Sequence, residues 1–184
     1  MQDIIHLRSD GFRLFVAINP DPSARDGLVS VRNALRRQGV CGSFPGPENY
    51  HVTLAFIGEQ PDYRAAEDAL RAIRFQTFRI DLGTLGRFGD TLWVGLERNP
   101  ALDALAAKVR GALTAGGIPS DPKPFRAHIT LARRAVTDGI DLHAVSVPRA
   151  GMTVRSFSLM RSQRGERGMI YTELARMDAE RSGT

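Results

Sequence analysis

Four residues in two matched stretches have the types and spacing to do chemistry. His51-Val52-Thr53-Leu54 and His128-Ile129-Thr130-Leu131 both read His-x-Thr-Leu with a β-branched residue at x. On a strand, residues two apart share a face, so each motif presents an imidazole beside a hydroxyl. Two imidazoles with ordinary pKa values of about 6.5 supply a general acid and a general base at neutral pH. Two threonine hydroxyls can donate to the non-bridging oxygens of a phosphate held between them. The set fits in-line cleavage of a phosphodiester, one histidine taking a proton from the attacking oxygen and the other giving one to the leaving oxygen. A single His-x-Thr carries little weight, because strand histidines usually sit satisfied at a sheet margin. The pair carries more. His6 and His143 lack such surroundings and read as surface residues.

The elements that must position the motifs repeat as well. Phe12 to Asn19 predicts a strand with Phe12, Leu14, Val16 and Ile18 on one face. Pro20-Asp21-Pro22-Ser23 is helix-starting chemistry, Leu28, Val31 and Leu35 form an apolar stripe, and Gly39 is a stop. A Gly/Pro-rich loop (Gly42 to Pro47) leads into a strand from His51 to Gly58, then a helix over Asp62–Ile73 and a strand over Phe78–Leu82. The second half restarts with a strand, Thr91–Leu96, and a helix from about Pro100 with Leu102, Leu105, Ala106, Val109 and Leu113 on one face, ended by Gly116-Gly117. A loop with Pro119, Pro122 and Pro124 then enters a strand over Phe125–Arg133. Strands over Met152–Met160 and Met169–Met177 close the chain, with fraying expected from about Asp178. Leu14 lies 37 positions before His51, and Trp93 lies 35 before His128.

This repeat of order and motif points to an internal duplication. The expected fold is α+β: two similar lobes of mainly antiparallel sheet with outer helices around a central cleft. One domain over residues 1–184 would hold both lobes, intertwined, from sequence halves of roughly 12–83 and 91–177. Phe88 and Trp93 read as core, and Cys41 as a small buried residue.

Composition narrows the class. The chain has 184 residues, 42% hydrophobic and 24% charged, ordinary values for a globular domain. No apolar run approaches a membrane span, and the N-terminal residues lack a secretory pattern. Cys41 is the only cysteine, so no internal disulfide can form and a cytoplasmic location is expected. Twenty-five basic residues against 20 acidic give +5 and a pI near 10.1. All the basic residues except Lys108 and Lys123 are arginines, whose planar forks match phosphate oxygens, although a genome rich in G and C gives the same bias. No phosphate-binding Gly-rich loop ending in Lys-Ser/Thr is present, and a lone cysteine with two separated histidines makes no zinc shell. No metal and no cofactor are expected.

Three stretches resemble a known family. They are Pro47–Gly58, Phe125–Arg133, and the C-terminal Ser156-Phe157-Ser158-Leu159 followed by Gly168-Met169-Ile170-Tyr171. They are similar to the 2H phosphoesterase superfamily, and more narrowly to the RNA 2′,3′-cyclic phosphodiesterase (2′-5′ RNA ligase-like) family, with similarity from Phe12 to about Leu174. The resemblance implies His51 as proton donor, His128 as proton acceptor, and Thr53 and Thr130 on the phosphate. The motifs alone, being nearly identical, do not separate the two histidine roles. It also implies substrate contacts from Phe56 and Arg133, flanking the nucleobase; Arg126, beside the second motif, is a further substrate-binding candidate from its position. Phe56 and Arg133 both lie five positions after a histidine, and on a regular strand that odd offset points them to the opposite face. Arg134, Arg155, Arg161, Arg164 and Arg167 are further candidates for guiding an RNA backbone. One departure is Ala127, where the family usually has proline.

The activity so implied is metal-independent opening of RNA 2′,3′-cyclic phosphate ends to a 2′-phosphomonoester by a monomer. It uses neither DNA nor membrane, since the substrate needs a ribose 2′-oxygen. Rival readings are 2′-5′ RNA ligation at the same site, the same chemistry on a small cyclic-phosphate nucleotide, and a non-catalytic RNA-binding module.

Overall fold

A computed structural model describes residues 11–166 and 168–180; His6 and Arg167 lie outside the described residues. The chain runs β1 (Phe12–Ile18), α1 (Pro22–Arg37), β2 (Cys41–Ser43), a 3-10 turn (Pro47–Asn49), β3 (Val52–Gln60), α2 (Arg64–Arg71) and β4 (Phe78–Phe88). It continues with β5 (Thr91–Leu96), α3 (Pro100–Ala115), β6 (His128–Val136), a second 3-10 turn (Leu142–Ala144), β7 (Gly151–Val154), β8 (Ser156–Gly165) and β9 (Gly168–Asp178).

The two long helices are built alike. Asp21 caps α1 by accepting from the Ala24 amide, and Asn99 caps α3 by accepting from Ala101 and Leu102, each followed by proline at the first helical position. Such a cap stabilises a helix by about 1 kcal/mol. Ala24, Leu28, Val31 and Leu35 are buried along α1, and Leu102, Ala106, Val109 and Leu113 occupy the corresponding turns of α3. Both helices end alike too. The Val40 amide donates to the Leu35 carbonyl and the Ile118 amide to Leu113, after Gly39 and Gly117 at φ +90° and +68°. A side chain at either glycine would be strained there. In this register Phe15, not Leu14, is the counterpart of Trp93.

All strand pairs are antiparallel, in the order β7-β4-β5-β6-β3-β1-β8-β9, with β2 added beside β6. The two motif strands, β3 and β6, meet at the centre through the single pair Val52↔Ile129. Four strands, β3, β1, β8 and β9, therefore lie on one side of this seam and five, β6, β5, β4, β7 and β2, on the other, giving two lobes. The lobes do not coincide with halves of the sequence. The C-terminal β8 and β9 complete the lobe of β1 and β3, and β4 joins β5, β6 and β7. The helices also cross over, α1 packing on β6 and β7, and α3 on β3 and α2.

One large core fills the space between helices and sheet; Phe15, Ala17, Met160 and Tyr171 form a second, small cluster. Among the described residues, no helix is long and apolar enough to cross a membrane. Four expectations need correction. The strand expected over Met152–Met160 is two strands broken at Arg155, and β4 runs on past Leu82 to Phe88. The chain does not fray at Asp178, since the Ala179 amide donates to Arg155 O and the Glu180 amide to Phe75 O. Cys41 is exposed, because β2 is a three-residue edge strand with no layer above it.

Candidate active site

Val52 and Ile129 point into the core with no exposed surface. Their neighbours on either side must face the other way. Continuing the antiparallel register by one residue sets His51 opposite Thr130, and Thr53 opposite His128. All four are half-buried. The sequence pair of motifs thus becomes one array on the sheet face away from the helices.

Each motif then bulges at its leucine. The β1–β3 register slips between Val16↔Ala55 and Ala17↔Thr53, leaving Leu54 extra. The β5–β6 register slips between Leu92↔Ala132 and Trp93↔Thr130, leaving Leu131 extra. A bulge shifts side-chain parity by one, which returns Phe56 and Arg133 to the histidine face. The expectation that they point away is corrected. The Leu54 carbonyl accepts from Arg110 Nε of α3 at 3.2 Å, so an arginine that the motifs did not reveal supports this bulge.

Because the strands are antiparallel, the residues following each histidine run toward the other one. Phe56, 52% exposed, lines a cavity of about 650 Å³ with Thr53, Phe88, Arg126 and His128. Arg133 lines a separate cavity of about 770 Å³ with Asn49 and Tyr171, and its charge acts on His51. Phe56 thus stands beside His128, while the charge of Arg133 acts on His51. Arg126 stacks over the Phe88 ring, 5.0 Å from its centroid.

The imidazoles are held in the same way. His51 Nδ1–H donates to Asn49 O at 2.7 Å, and His128 Nδ1–H to Arg126 O at 2.6 Å. A carbonyl only accepts, so each Nδ1 carries the proton and each Nε2 is left for substrate. Ala127 in place of the usual proline does not disturb this arrangement. Aromatic rings flank both imidazoles. Phe15 and Tyr171 lie 5.0 and 5.1 Å from His51, and Phe88 and Trp93 lie 5.3 and 6.0 Å from His128, centroid to centroid.

Phe88 and Trp93 are therefore half-buried walls of the site, not core. The reason is a glycine. A Cβ on Gly86 would lie 2.2 Å from the Trp93 ring, so only glycine lets the indole lie over β4. Gly86→Ala is expected to destabilise the fold by about 1–3 kcal/mol in urea unfolding, with strong coupling to Trp93→Leu in a double-mutant cycle. Phe15 and Tyr171 were also missed as site residues. Phe15 was legible as the one aromatic on the off-face of β1, and Tyr171 as part of the third family-like stretch. Arg161 packs away from the site, its guanidinium 4.5 Å from the Phe12 ring centroid. His143 is exposed, as expected.

Burial lowers the pKa of His51; the Asn49 carbonyl opposes this, and Arg133 and His128 add to it. Protonating His51 is thus harder in the folded than in the unfolded chain. The unfolded state then binds more protons between the lowered folded value and the ordinary 6.5. Stability from this group is present above the unfolded value and is lost as pH falls through the folded one. His51→Gln is expected to flatten the fall of Tm on acidification from about pH 7 to 5, as read by calorimetry.

A model of the 2′-5′ RNA ligase superfamily matches residues 20–166. The chain belongs to this superfamily. Among the members it resembles, the RNA 2′,3′-cyclic phosphodiesterase of Archaeoglobus fulgidus is 33% identical over 175 residues, covering 88% of this chain and 97% of the relative. That of Escherichia coli is 30% identical, covering 91% and 97%. Among solved structures, E. coli LigT in apo form superposes with TM-score 0.77 at 27% identity, covering 94% of this chain and 99% of LigT. LigT complexed with 3′-AMP gives 0.76 at 26% identity, covering 93% and 99%. The α+β architecture and the family resemblance of the sequence are both borne out.

Proposed function

We propose that this superfamily member is a cyclic phosphodiesterase that opens RNA 2′,3′-cyclic phosphate ends to 2′-phosphomonoesters, using His51 and His128 as acid and base. The observation that carries this reading is the matched pair of Nδ1–H···O=C bonds, which leaves two Nε2 atoms and two threonine hydroxyls on one face. The names of the similar enzymes support it, as does the arginine-rich composition.

Water enters on the His128 side, and Nε2 of His128 takes its proton as the P–O bond forms. The P–O3′ bond breaks in line, and Nε2–H of His51 protonates the departing O3′. His51 ends neutral and His128 charged, and proton exchange with solvent restores both. Thr53 and Thr130 donate to the non-bridging oxygens as charge builds on them. Without an anion beside it, burial holds His51 neutral. The negative charge of the cyclic phosphate favours the imidazolium that the donor role needs. Strain in the five-membered ring reduces the help required, and two imidazoles at about 10²–10⁴-fold each are a sufficient source.

Phosphorus NMR tests the proposal. A 2′,3′-cyclic mononucleotide and a short RNA with a cyclic end are incubated with the protein and EDTA. The expected result is a new 2′-phosphomonoester signal. A 3′-phosphomonoester would overturn the regiochemistry, and no opening of either substrate by folded protein would favour the RNA-binding module. Binding by such a module weakens steeply with salt, whereas mononucleotide turnover changes modestly.

A further inference from the structure

The two histidines are alike in their backbone bonds but not in what fixes the loop that carries each of them. Asn49, whose carbonyl holds the His51 ring, also donates from its side-chain Nδ2 to Met169 O at 3.0 Å. Met169 lies on β9, 120 residues away in sequence. Two residues further on, Tyr171 sets its ring edge against His51 at an interplanar angle of 86°, and against Phe15 at 72°. In the other motif the matching residue is Arg126. Its carbonyl holds His128, but its side chain stacks on Phe88 at the end of β4 and, among the described residues, makes no hydrogen bond to another strand.

We propose that Asn49 and Tyr171 are positioning residues: the Asn49–Met169 tie anchors β9 against the loop before β3, and Tyr171 then closes the wall that buries and aims His51. Neither residue needs to touch the phosphate for this. The amide tie fixes how far β9 stands from the imidazole, and the tyrosine edge excludes water from one side of it. Phe15 of β1 excludes water from another. The charged or titratable groups facing His51 are Arg133 and His128 from β6 and Tyr171 from β9; β1 contributes only the uncharged Phe15. The tie therefore acts through burial and aim, since it adds no charge of its own. Burial is also the largest cause of the lowered His51 pKa.

The test is a proton NMR titration of the histidine Cε1–H signals, run beside steady-state kinetics on a 2′,3′-cyclic mononucleotide. Variants are Asn49→Ala and Asn49→Leu, the second close in size and uncharged but without the donor, with Asn49→Gln as the amide-retaining control. The expected result is that His51 titrates closer to its ordinary value in the Ala and Leu variants while His128 is unchanged. Alongside this, kcat falls roughly tenfold to a hundredfold with little change in KM, and Gln restores part of the loss. Tyr171→Ala should raise the His51 titration in the same way, and Tyr171→Phe should not, which decides the matter if the Asn49 variants fold poorly. The proposal is overturned if His51 titrates as in wild type in folded Asn49→Ala and Tyr171→Ala, or if both histidines shift together. The kinetic arm rests on the cyclic phosphodiesterase reading, but the titration arm does not. A shifted His51 in a protein without turnover would sink the activity and keep the tie.

Discussion

His51→Ala and His128→Ala are each expected to lose at least about a thousandfold in kcat on a 2′,3′-cyclic nucleotide. Binding of the nucleoside 2′-phosphate should change by no more than about threefold, because phosphate contacts from Thr53, Thr130 and the arginines remain. In the proposed mechanism the two histidines act in one concerted displacement. The double variant should therefore be little worse than either single one, and a multiplicative loss would mean that they act in separate steps. Each imidazole is half-buried and packed between rings, so unfolding must be excluded by circular dichroism before the rates are read. Turnover within tenfold of wild type by either folded variant would place the reaction elsewhere.

Thr53→Val and Thr130→Val should each lower kcat by about 10²–10³, the usual effect of removing one donor to a developing oxyanion. Valine matches threonine in shape and suits a strand, so the fold should be kept. The cross-strand arrangement adds a sharper expectation. Thr53 faces His128 and Thr130 faces His51 across equivalent strands. The two losses should then be of similar size, and Thr→Ser at either position should be close to wild type. Stopped-flow or initial-rate kinetics decide this. A large loss at one position with none at the other would mean that the phosphate sits off the axis relating the two lobes.

Much of this arrangement could be read from the chain. The β5 strand and the limits of α3 follow from local chemistry: alternation over Thr91–Leu96, Asn99-Pro100 at the start of the helix and Gly116-Gly117 at its end. The four catalytic candidates were legible because residues two apart on a strand share a face whatever lies beyond it. The face on which Phe56 and Arg133 lie was not, since a bulge at Leu54 or Leu131 leaves no mark in a run of apolar residues. The sidedness of Trp93 was hidden for another reason. It depends on Gly86, a residue of the neighbouring strand whose pairing is a tertiary fact. Strand order was equally out of reach, because local pattern does not say that β8 and β9 return to the side of β1.

That return has a consequence for how the chain must be made. β1 carries Leu14, Phe15, Val16, Ala17 and Ile18, all buried in the folded protein, and it is bordered by β3 on one side and β8 on the other. During synthesis β3 follows soon after, but β8 emerges only after β2 to β7 have all left the ribosome. Through that interval β1 presents an open, strongly strand-forming edge whose one charge, Arg13, lies near its start, the kind of surface on which nascent chains stick to one another. The arrival of the last hairpin both closes that edge and brings Tyr171 to His51. The growing chain is thus at once most prone to aggregate and incomplete at its candidate active site, and both conditions end with the same pairing.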